Sequence, residues 1–356
     1  NKLSNIIKGP MTGEKPMKKV RIVGIFLILS ILLCFAGMGF AESSGDVYGV
    51  PIKGVIDRGI AMFVKRCVNE AEKNEAQAII FEIDTPGGEV NAAVEISNTI
   101  LNTSVPTISF INNEATSAGV IIAVSSDTIY MTSHATIGAA ETRPNEEKYI
   151  SYWSSKLRAV AEKTGRNPEL VAAMADADVV IEGLKPKGKI LSLTAKQAEE
   201  LELADGIVAN RSEALKANGI NDADIIEQKP SMAEYVAQFV TNPYISPIIL
   251  TIGIVCIIME LLLPGYGLFA FIGLLAFGLF FGANFMIGSA RIWTIALFIL
   301  GILLLLIEMF IPGFGIFGIS GIVSVIIGLM MSFPNPVQAF YSITFAVIAS
   351  CVISYF

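Results

Sequence analysis

From Ile245 to Phe356 the chain carries only three charged side chains, Glu260, Arg291 and Glu308. A compact soluble domain has to cover itself with polar and charged groups, so a run of roughly 110 residues this apolar belongs in a bilayer. There it is expected to form helices, which satisfy their backbone polar groups internally. Upstream, from about Ser43 to Ala237, charges return at a density that fits a soluble domain of roughly 190 residues. Asn242-Pro243 marks the change. The expected domains are therefore a leading segment, residues 1–41, a soluble domain, residues 43–237, and a membrane domain, residues 245–356. A net charge of −7 argues against nucleic acid as a partner.

The leading segment has the features of a targeting signal. Lys18, Lys19 and Arg21 precede an uncharged run from Ile22 to Phe40, and Gly39 and Ala41 suit a signal-peptidase cut after Ala41. The run is long for a cleaved signal, so a retained anchor is the alternative. Asn1 is not an initiator, and translation is expected to begin at Met11 or Met17. Either way the soluble domain is expected outside the cytoplasm, with the chain held in the cell membrane. Cys67 is the only cysteine of that domain, so no disulfide can form within it. It lies in a helical stretch, AMFVKRCVNEAEK, and reads as core packing.

The soluble domain alternates strand and helix patterns. Val47–Val55, Ala78–Ile83, Thr107–Ile111 and Thr128–Met131 read as strands, and Ile60–Lys73, Val90–Leu101 and Ala118–Val124 as helices. This order predicts βαβ units and an α/β domain with a largely parallel, buried sheet. Ligands in such folds sit at the carboxyl ends of the strands. Two glycine-bearing turns lie there, DTPGG at Asp84–Gly88 and ATSAG at Ala115–Gly119. Ser117 stands where a strand gives way to a helix and backbone N–H groups are free. It reads either as an ordinary helix cap or as part of a site for a negatively charged oxygen. DTPGG reads either as a tight turn with a local Asp84 hydrogen bond or as a backbone presented closely to a ligand. A phosphate-binding P-loop is excluded, since no G-x-x-x-x-G-K-[ST] follows.

FEIDTPGGEV, INNEATSAGVIIAVSSDTIYM and ATIGAA, in that order, resemble the ClpP-class serine peptidases of the crotonase superfamily. The nearest likeness is to the membrane-bound NfeD-type branch, related to signal peptide peptidase A. The resemblance continues through KLRAVAEKTGRNPE and SLTAKQAEELELADGIV into the membrane segment. It implies Ser117 as nucleophile, and oxyanion N–H donors from Gly87, Gly88 and Ala118. It also implies stomatin- or flotillin-like membrane proteins as partners, a homo-oligomer, and no cofactor or metal. Val120, Ile121 and Ile122, beside Ser117, suggest apolar side-chain pockets, and Thr107–Ile111 with the DTPGG turn suggests backbone edges for an extended substrate.

A serine nucleophile needs a base. The only histidine, His134, opens the segment HATIGAA, whereas the family pattern places its histidine near Ala139, so His134 reads better as a loop residue. Lysine is then the candidate. A lysine near its reference pKa of about 10.4 is protonated and cannot act, but apolar burial favours the neutral form. Lys148, Lys156 and Lys163 follow the serine. On a helix over Tyr149–Lys163, Lys156 and Lys163 flank the apolar stripe of Ile150, Trp153, Leu157 and Val160, and Lys148 points away. Periodicity therefore does not select Lys148. The resemblance does, by alignment back from Gly165-Arg166-Asn167. The competing reading is a solvated lysine beside Glu146 and Glu147. The loop over Thr136–Glu147 is expected to act as a lid.

In the membrane half, IMELLLPGYGLFAFIG (Ile258–Gly273) matches LIEMFIPGFGIFGISG (Leu306–Gly321) at an offset of 48 residues. The match predicts a parallel duplication of a helix–turn–helix unit, with spans near 246–263, 267–287, 292–311, 315–332 and 338–356. Glu260 and Glu308, each beside a Pro-Gly turn, are expected to be structural. Many NfeD-type proteins carry an OB-fold domain after these helices. This sequence ends within an apolar run, so partner binding by such a domain is not expected of it. Three functional classes follow: a membrane-anchored serine endopeptidase with a Ser117–Lys148 dyad, a non-catalytic scaffold for stomatin- or flotillin-like proteins, and an acyl-CoA enzyme on the related fold. An exported domain without an adenine site weakens the last.

Overall fold

The computed structural model describes residues 45–221, 223–263, 267–310 and 315–355. The expected targeting segment lies outside the described residues. The soluble part begins with β1 (Val47–Lys53), α1 (Arg58–Lys73), β2 (Ala78–Thr85), α2 (Val90–Asn102), β3 (Thr107–Thr116), α3 (Ala118–Val124) and β4 (Thr128–Met131). It continues with β5 (Thr136–Gly138), α4 (Glu147–Lys163), α5 (Pro168–Ala172), β6 (Ser192–Thr194), α6 (Ala195–Glu200), β7 (Gly206–Ile207), α7 (Arg211–Ala217) and β8 (Ile225–Glu227). The strands join in the order β6-β5-β3-β2-β1-β8, with β4 on β3 and β7 on β4. Among the described strand pairs only β5–β6 is antiparallel. This is the mostly parallel α/β architecture that the alternating pattern predicts.

The apolar runs explain the layers. β2 is covered on both faces, with Ala78, Ile79, Ile80, Phe81 and Ile83 all buried, as a strand under helices must be. α1 turns Ile60, Phe63, Val64, Cys67, Val68 and Ala71 inward and starts where the Asp57 side chain accepts the Ile60 N–H at 2.9 Å. β3 runs five residues beyond the expected Ile111. Its first half pairs with β4 through Ile108–Ile111, and its end pairs with β5 through Glu114–Thr116. A change of partner along one strand thus keeps the polar INNEAT stretch in the sheet. Thr107–Ile111 lies between β2 and β4 and offers no free edge, contrary to expectation. α3 follows at once, with all seven of its residues buried.

α8 (Met232–Thr241) leads into the integral membrane domain and is held on α1. Arg66 grips Glu234 through Nε at 2.9 Å and Nη2 at 3.0 Å, and Ser231 caps the helix against Glu234. Burial alone pushes the Glu234 carboxyl up, but hydrogen bonds from Arg66 and Ser231 outweigh it and hold the carboxyl below its ordinary range.

The membrane domain comprises α9 (Ile245–Leu262), α10 (Leu268–Met286), α11 (Ile292–Phe310), α12 (Ile316–Met330) and α13 (Pro336–Tyr355). Of the five expected spans, α9, α10 and α13 are long and apolar enough to cross a membrane, while α11 and α12 give shorter apolar stretches, Ile292–Glu308 and Ile316–Met330. The 48-residue offset reappears in the packing. A Cβ on Gly273 would stand 3.2 Å from the Gly253 carbonyl oxygen, and one on Gly321 would stand 3.0 Å from that of Gly301. Gly253 and Gly301, like Gly273 and Gly321, are equivalent positions of the repeat, so each hairpin closes on the same glycine pair. The glutamates are equivalent too. Glu260 accepts the Ala270 N–H at 3.2 Å, and Glu308 accepts those of Gly315 and Gly318, the latter at 3.1 Å. Each carboxylate caps the helix that follows it. Phe277 and Phe281 of one hairpin meet Phe298 of the other, with ring centroids 4.9 and 4.7 Å apart.

Two outcomes are expected. Glu308→Ala should destabilise the protein in detergent by about 1–2 kcal/mol, while Glu308→Gln, which keeps an acceptor oxygen, should cost less; thermal melting separates them. Because the folded pKa of Glu234 is depressed, its contribution is complete above the unfolded carboxyl pKa of about 4.3 and is lost as pH falls through the folded value. Arg66→Met should therefore lower stability at neutral pH and flatten this acid limb of the pH–stability curve.

Candidate active site

The strained turn at the fork of β3 builds the site. Ser117 has φ +56° and ψ −115°, a conformation that non-glycine residues rarely adopt and that costs about 1–3 kcal/mol. Its N–H donates to the Gly138 carbonyl at 2.9 Å, and its own carbonyl accepts the Val120 N–H at 3.1 Å. Its hydroxyl makes no capping bond to α3. Of the two readings of this serine, the ordinary cap is therefore not the one the fold uses. The half-buried hydroxyl lies in a cavity of about 520 Å³ lined by Pro86, Gly88, Val90, Ala118, Ala139–Arg143, Trp153 and Ile190.

The DTPGG turn faces it. Gly87, at φ +108°, passes so close that a Cβ there would stand 2.6 Å from Ser117 Cβ. Only glycine fits. The Gly87 N–H, however, donates to Thr85 Oγ1 at 3.0 Å, and Thr85 Oγ1 donates to the Gly54 carbonyl at 2.6 Å. Gly87 therefore has no donor left for an oxyanion, which corrects its expected role. Gly88 sits opposite Ile56 in a parallel bridge: Ile56 N–H donates to Gly87 O, and Glu89 N–H to Ile56 O, both at 2.8 Å. This register leaves the Gly88 N–H unused. Among the described residues nothing pairs with the N–H of Gly88 or of Ala118, and both residues line the serine cavity. Asp84 makes no bond within its own turn but accepts from Asn113 Nδ2 at 2.7 Å.

Other expected residues stand elsewhere. Val120 and Ile121 are buried in the core with Ile122 and do not line the cavity. The short helix is enclosed on every side, so its apolar side chains pack inward rather than forming substrate pockets; Val90, Trp153 and Ile190 supply the apolar wall. His134 bonds Thr132 and, at 3.0 Å, Asn113, away from Ser117. Lys163 donates to the Leu101 carbonyl. Lys148 is exposed, with Nζ 5.1 Å from the centre of the Tyr149 ring, and has no bond to Ser117. It nevertheless lies in sequence between two cavity-lining residues, Arg143 and Trp153, about 7.5 Å up α4 from the latter.

Sequence reasoning missed the residues that hold the site still. Trp153 Nε1 donates to the Ala140 carbonyl at 2.9 Å and anchors the loop after β5. The buried Arg166 donates to the carbonyls of Val124, Ser126, Asp127 and Leu203, closing the far end of α3. Their signals were a tryptophan on an apolar stripe and an arginine in the GRNP stretch, where neither partner is local.

A family model described as the NfeD1b N-terminal domain matches residues 46–228, and one described as the NfeD integral membrane domain matches residues 244–356. The membrane protein NfeD1b of Bacillus subtilis (strain 168) is 35% identical over 287 residues, which is 79% of this chain and 65% of that protein. A membrane-bound protease of Pyrococcus horikoshii is 27% identical over 274 residues, 68% of this chain and 58% of that protein. The chain thus spans less than two thirds of the length of either relative. A solved P. horikoshii structure described as a membrane protease specific for a stomatin homolog is 26% identical, with a TM-score of 0.46 over 56% of this chain and all of that one.

Cys67 is fully buried, and burial pushes its thiol up to about 12. The native protein should therefore resist alkylation at neutral pH, and Cys67 should react only when the fold opens. Arg166→Met should lower stability by about 2–5 kcal/mol, because it leaves several buried carbonyls without donors; denaturant melts with and without a thiol probe test both.

Proposed function

This chain belongs to the NfeD1b family, and from that starting point we propose that it is a membrane-anchored serine endopeptidase with Ser117 as nucleophile and Lys148 as base. The observation that carries this reading is the strained Ser117 hydroxyl, which caps nothing and shares one cavity with two unused N–H groups, those of Gly88 and Ala118. Ser117 Oγ attacks the scissile carbonyl and passes its proton to the Lys148 amine. The developing oxyanion accepts hydrogen bonds from Gly88 and Ala118. As the tetrahedral species collapses, Lys148 returns the proton to the leaving amine, and water then frees the acyl group from Ser117 by the same route. Lys148 reaches Ser117 when the stretch between Glu141 and Lys148 folds over the cavity, with Ala140 held by Trp153 as the fixed end.

The substrates we propose are apolar segments of membrane-associated proteins, with stomatin-like proteins the partner class suggested by the P. horikoshii relative. The domain at residues 43–237 would act on the extracytoplasmic face, as the charged flank of the leading segment suggests. One observation favours a second reading. The exposed Lys148, away from Ser117, is what a scaffold that has kept the fold without the chemistry would show.

The experiment is labelling of the full chain in detergent or nanodiscs with a fluorophosphonate, followed by peptide hydrolysis. Ser117→Ala and Lys148→Ala should each lower kcat/KM by about 10³-fold or more, with little further loss in the double variant. His134→Ala, Lys156→Ala and Lys163→Ala should stay within a few-fold of the parent. A folded parent protein that neither labels nor cleaves would favour the scaffold.

A further inference from the structure

A second cavity, of about 850 Å³, opens beside the serine cavity and shares Gly88 with it. One wall is the turn at residues 53–59, and the other is made by α8 and by the ends of membrane helices: Tyr244 before α9, Ile287 after α10 and Pro334 before α13. Its charged side chains are largely engaged. Lys53 pairs with Glu82 at 2.6 Å, Asp57 caps α1, and Arg58 donates to Ser289 Oγ at 3.2 Å and to the Pro334 carbonyl at 3.4 Å. What remains open is apolar and aromatic: Val55 is 64% exposed, Phe239 61% and Tyr244 83%. Burial raises the pKa of the nearby Glu89 carboxyl, in keeping with a weakly polar groove.

The backbone here is also unpaired on one side. Gly54 and Ile56 donate their N–H groups to the carbonyls of Asp84 and Gly87, on either side of Val55. Among the described residues nothing pairs with the N–H or C=O of Val55. Val55 thus sits in a bend just beyond β1, with Gly54 at φ +76°, and its free donor and acceptor are open to the backbone of a passing chain.

We infer that this groove binds the juxtamembrane flank of a membrane-inserted substrate, in extended form along Val55, and leads it past Gly88 to Ser117. The inference deepens the protease reading and rests on it for the last step. Two features select this occupant. The groove starts at the ends of the membrane helices, where a chain leaving the lipid first meets the soluble domain. It then meets the cavity of the nucleophile at Gly88, which lines both. Tyr235, Phe239 and Tyr244 are amphipathic or aromatic side chains of the kind that sit at a membrane surface. A soluble peptide has no tether to hold it there, whereas an inserted one is delivered at high effective concentration.

The test uses the full chain in nanodiscs. The inserted probe is a peptide of about 20 apolar residues, enough to span the bilayer, followed by an uncharged flank; the free probe is the flank alone. In Ser117→Ala protein carrying benzoylphenylalanine in place of Phe239, light should crosslink the inserted probe within the flank. In otherwise active protein, Phe239→Asp and Tyr244→Asp, both at exposed positions, should each lower kcat/KM for the inserted probe about tenfold, a larger loss than on the free probe. Crosslinks confined to lipid or to a second copy of the chain, or equal losses on both probes, would overturn the groove. Crosslinking needs no catalysis, so the two readings fail separately. Flank crosslinks in a protein whose parent neither labels nor cleaves would keep the groove and discard the protease, and cleavage by the parent without flank crosslinks would do the reverse.

Discussion

The turn at Ser117 holds a backbone conformation worth about 1–3 kcal/mol of strain, and much of the soluble domain exists in the form needed to hold it. β5 supplies the Gly138 carbonyl that takes the Ser117 N–H. α3 is buried along its whole length, so it cannot relax by rotating outward. Arg166 closes the far end of that helix from a loop forty residues along the chain. Gly87 lies against the serine on its remaining side. Each of these supports opposes the return of φ toward its ordinary range.

The segment Ile56–Arg58 ties that turn to the rest of the chain. Ile56 fixes the direction of the Gly88 N–H through its parallel bridge, Asp57 caps α1, and Arg58 bonds two of the loops that join membrane helices. Three consecutive residues therefore touch the DTPGG turn, a core helix and the membrane domain. The soluble domain does not hang from its membrane helices on a loose tether. It is seated on them at the place where its site opens.

The alternating fold was legible because AIIFEI and its neighbouring apolar runs have no other use than a doubly covered sheet. The continuation of β3 through INNEAT was not, since those polar residues belong to the sheet only through β5, a pairing that local pattern does not encode. The same limit applied at the site. Val120 and Ile121 lie next to Ser117 in sequence, and apolar character alone does not distinguish a pocket wall from a core contact; enclosure of α3 decides it. Gly87 and Gly88 read as equals in DTPGG, and only the Thr85 hydroxyl makes one of them unavailable. For Lys148, alignment gives a place in the chain but not a side-chain direction, and that direction here is outward. In the membrane half the repeat was plain from its offset. Its physical content, paired glycines and carboxylate caps, needed the packing.

Those caps and glycine pairs bear on how the protein is made. Each hairpin carries its own closure: Gly253 with Gly273 and Glu260 at the next helix start, then Gly301 with Gly321 and Glu308 at its equivalent. The Glu260 and Glu308 carboxylates, which would be costly in hydrocarbon, each find their donors within one hairpin of about 40 residues, without help from the other. During synthesis the first unit can leave the translocon as a finished piece while the second is still on the ribosome. Assembly is then a later docking of two similar bodies through Phe277, Phe281 and Phe298. A duplication that copies a self-sufficient insertion unit adds membrane domain without adding a new insertion problem.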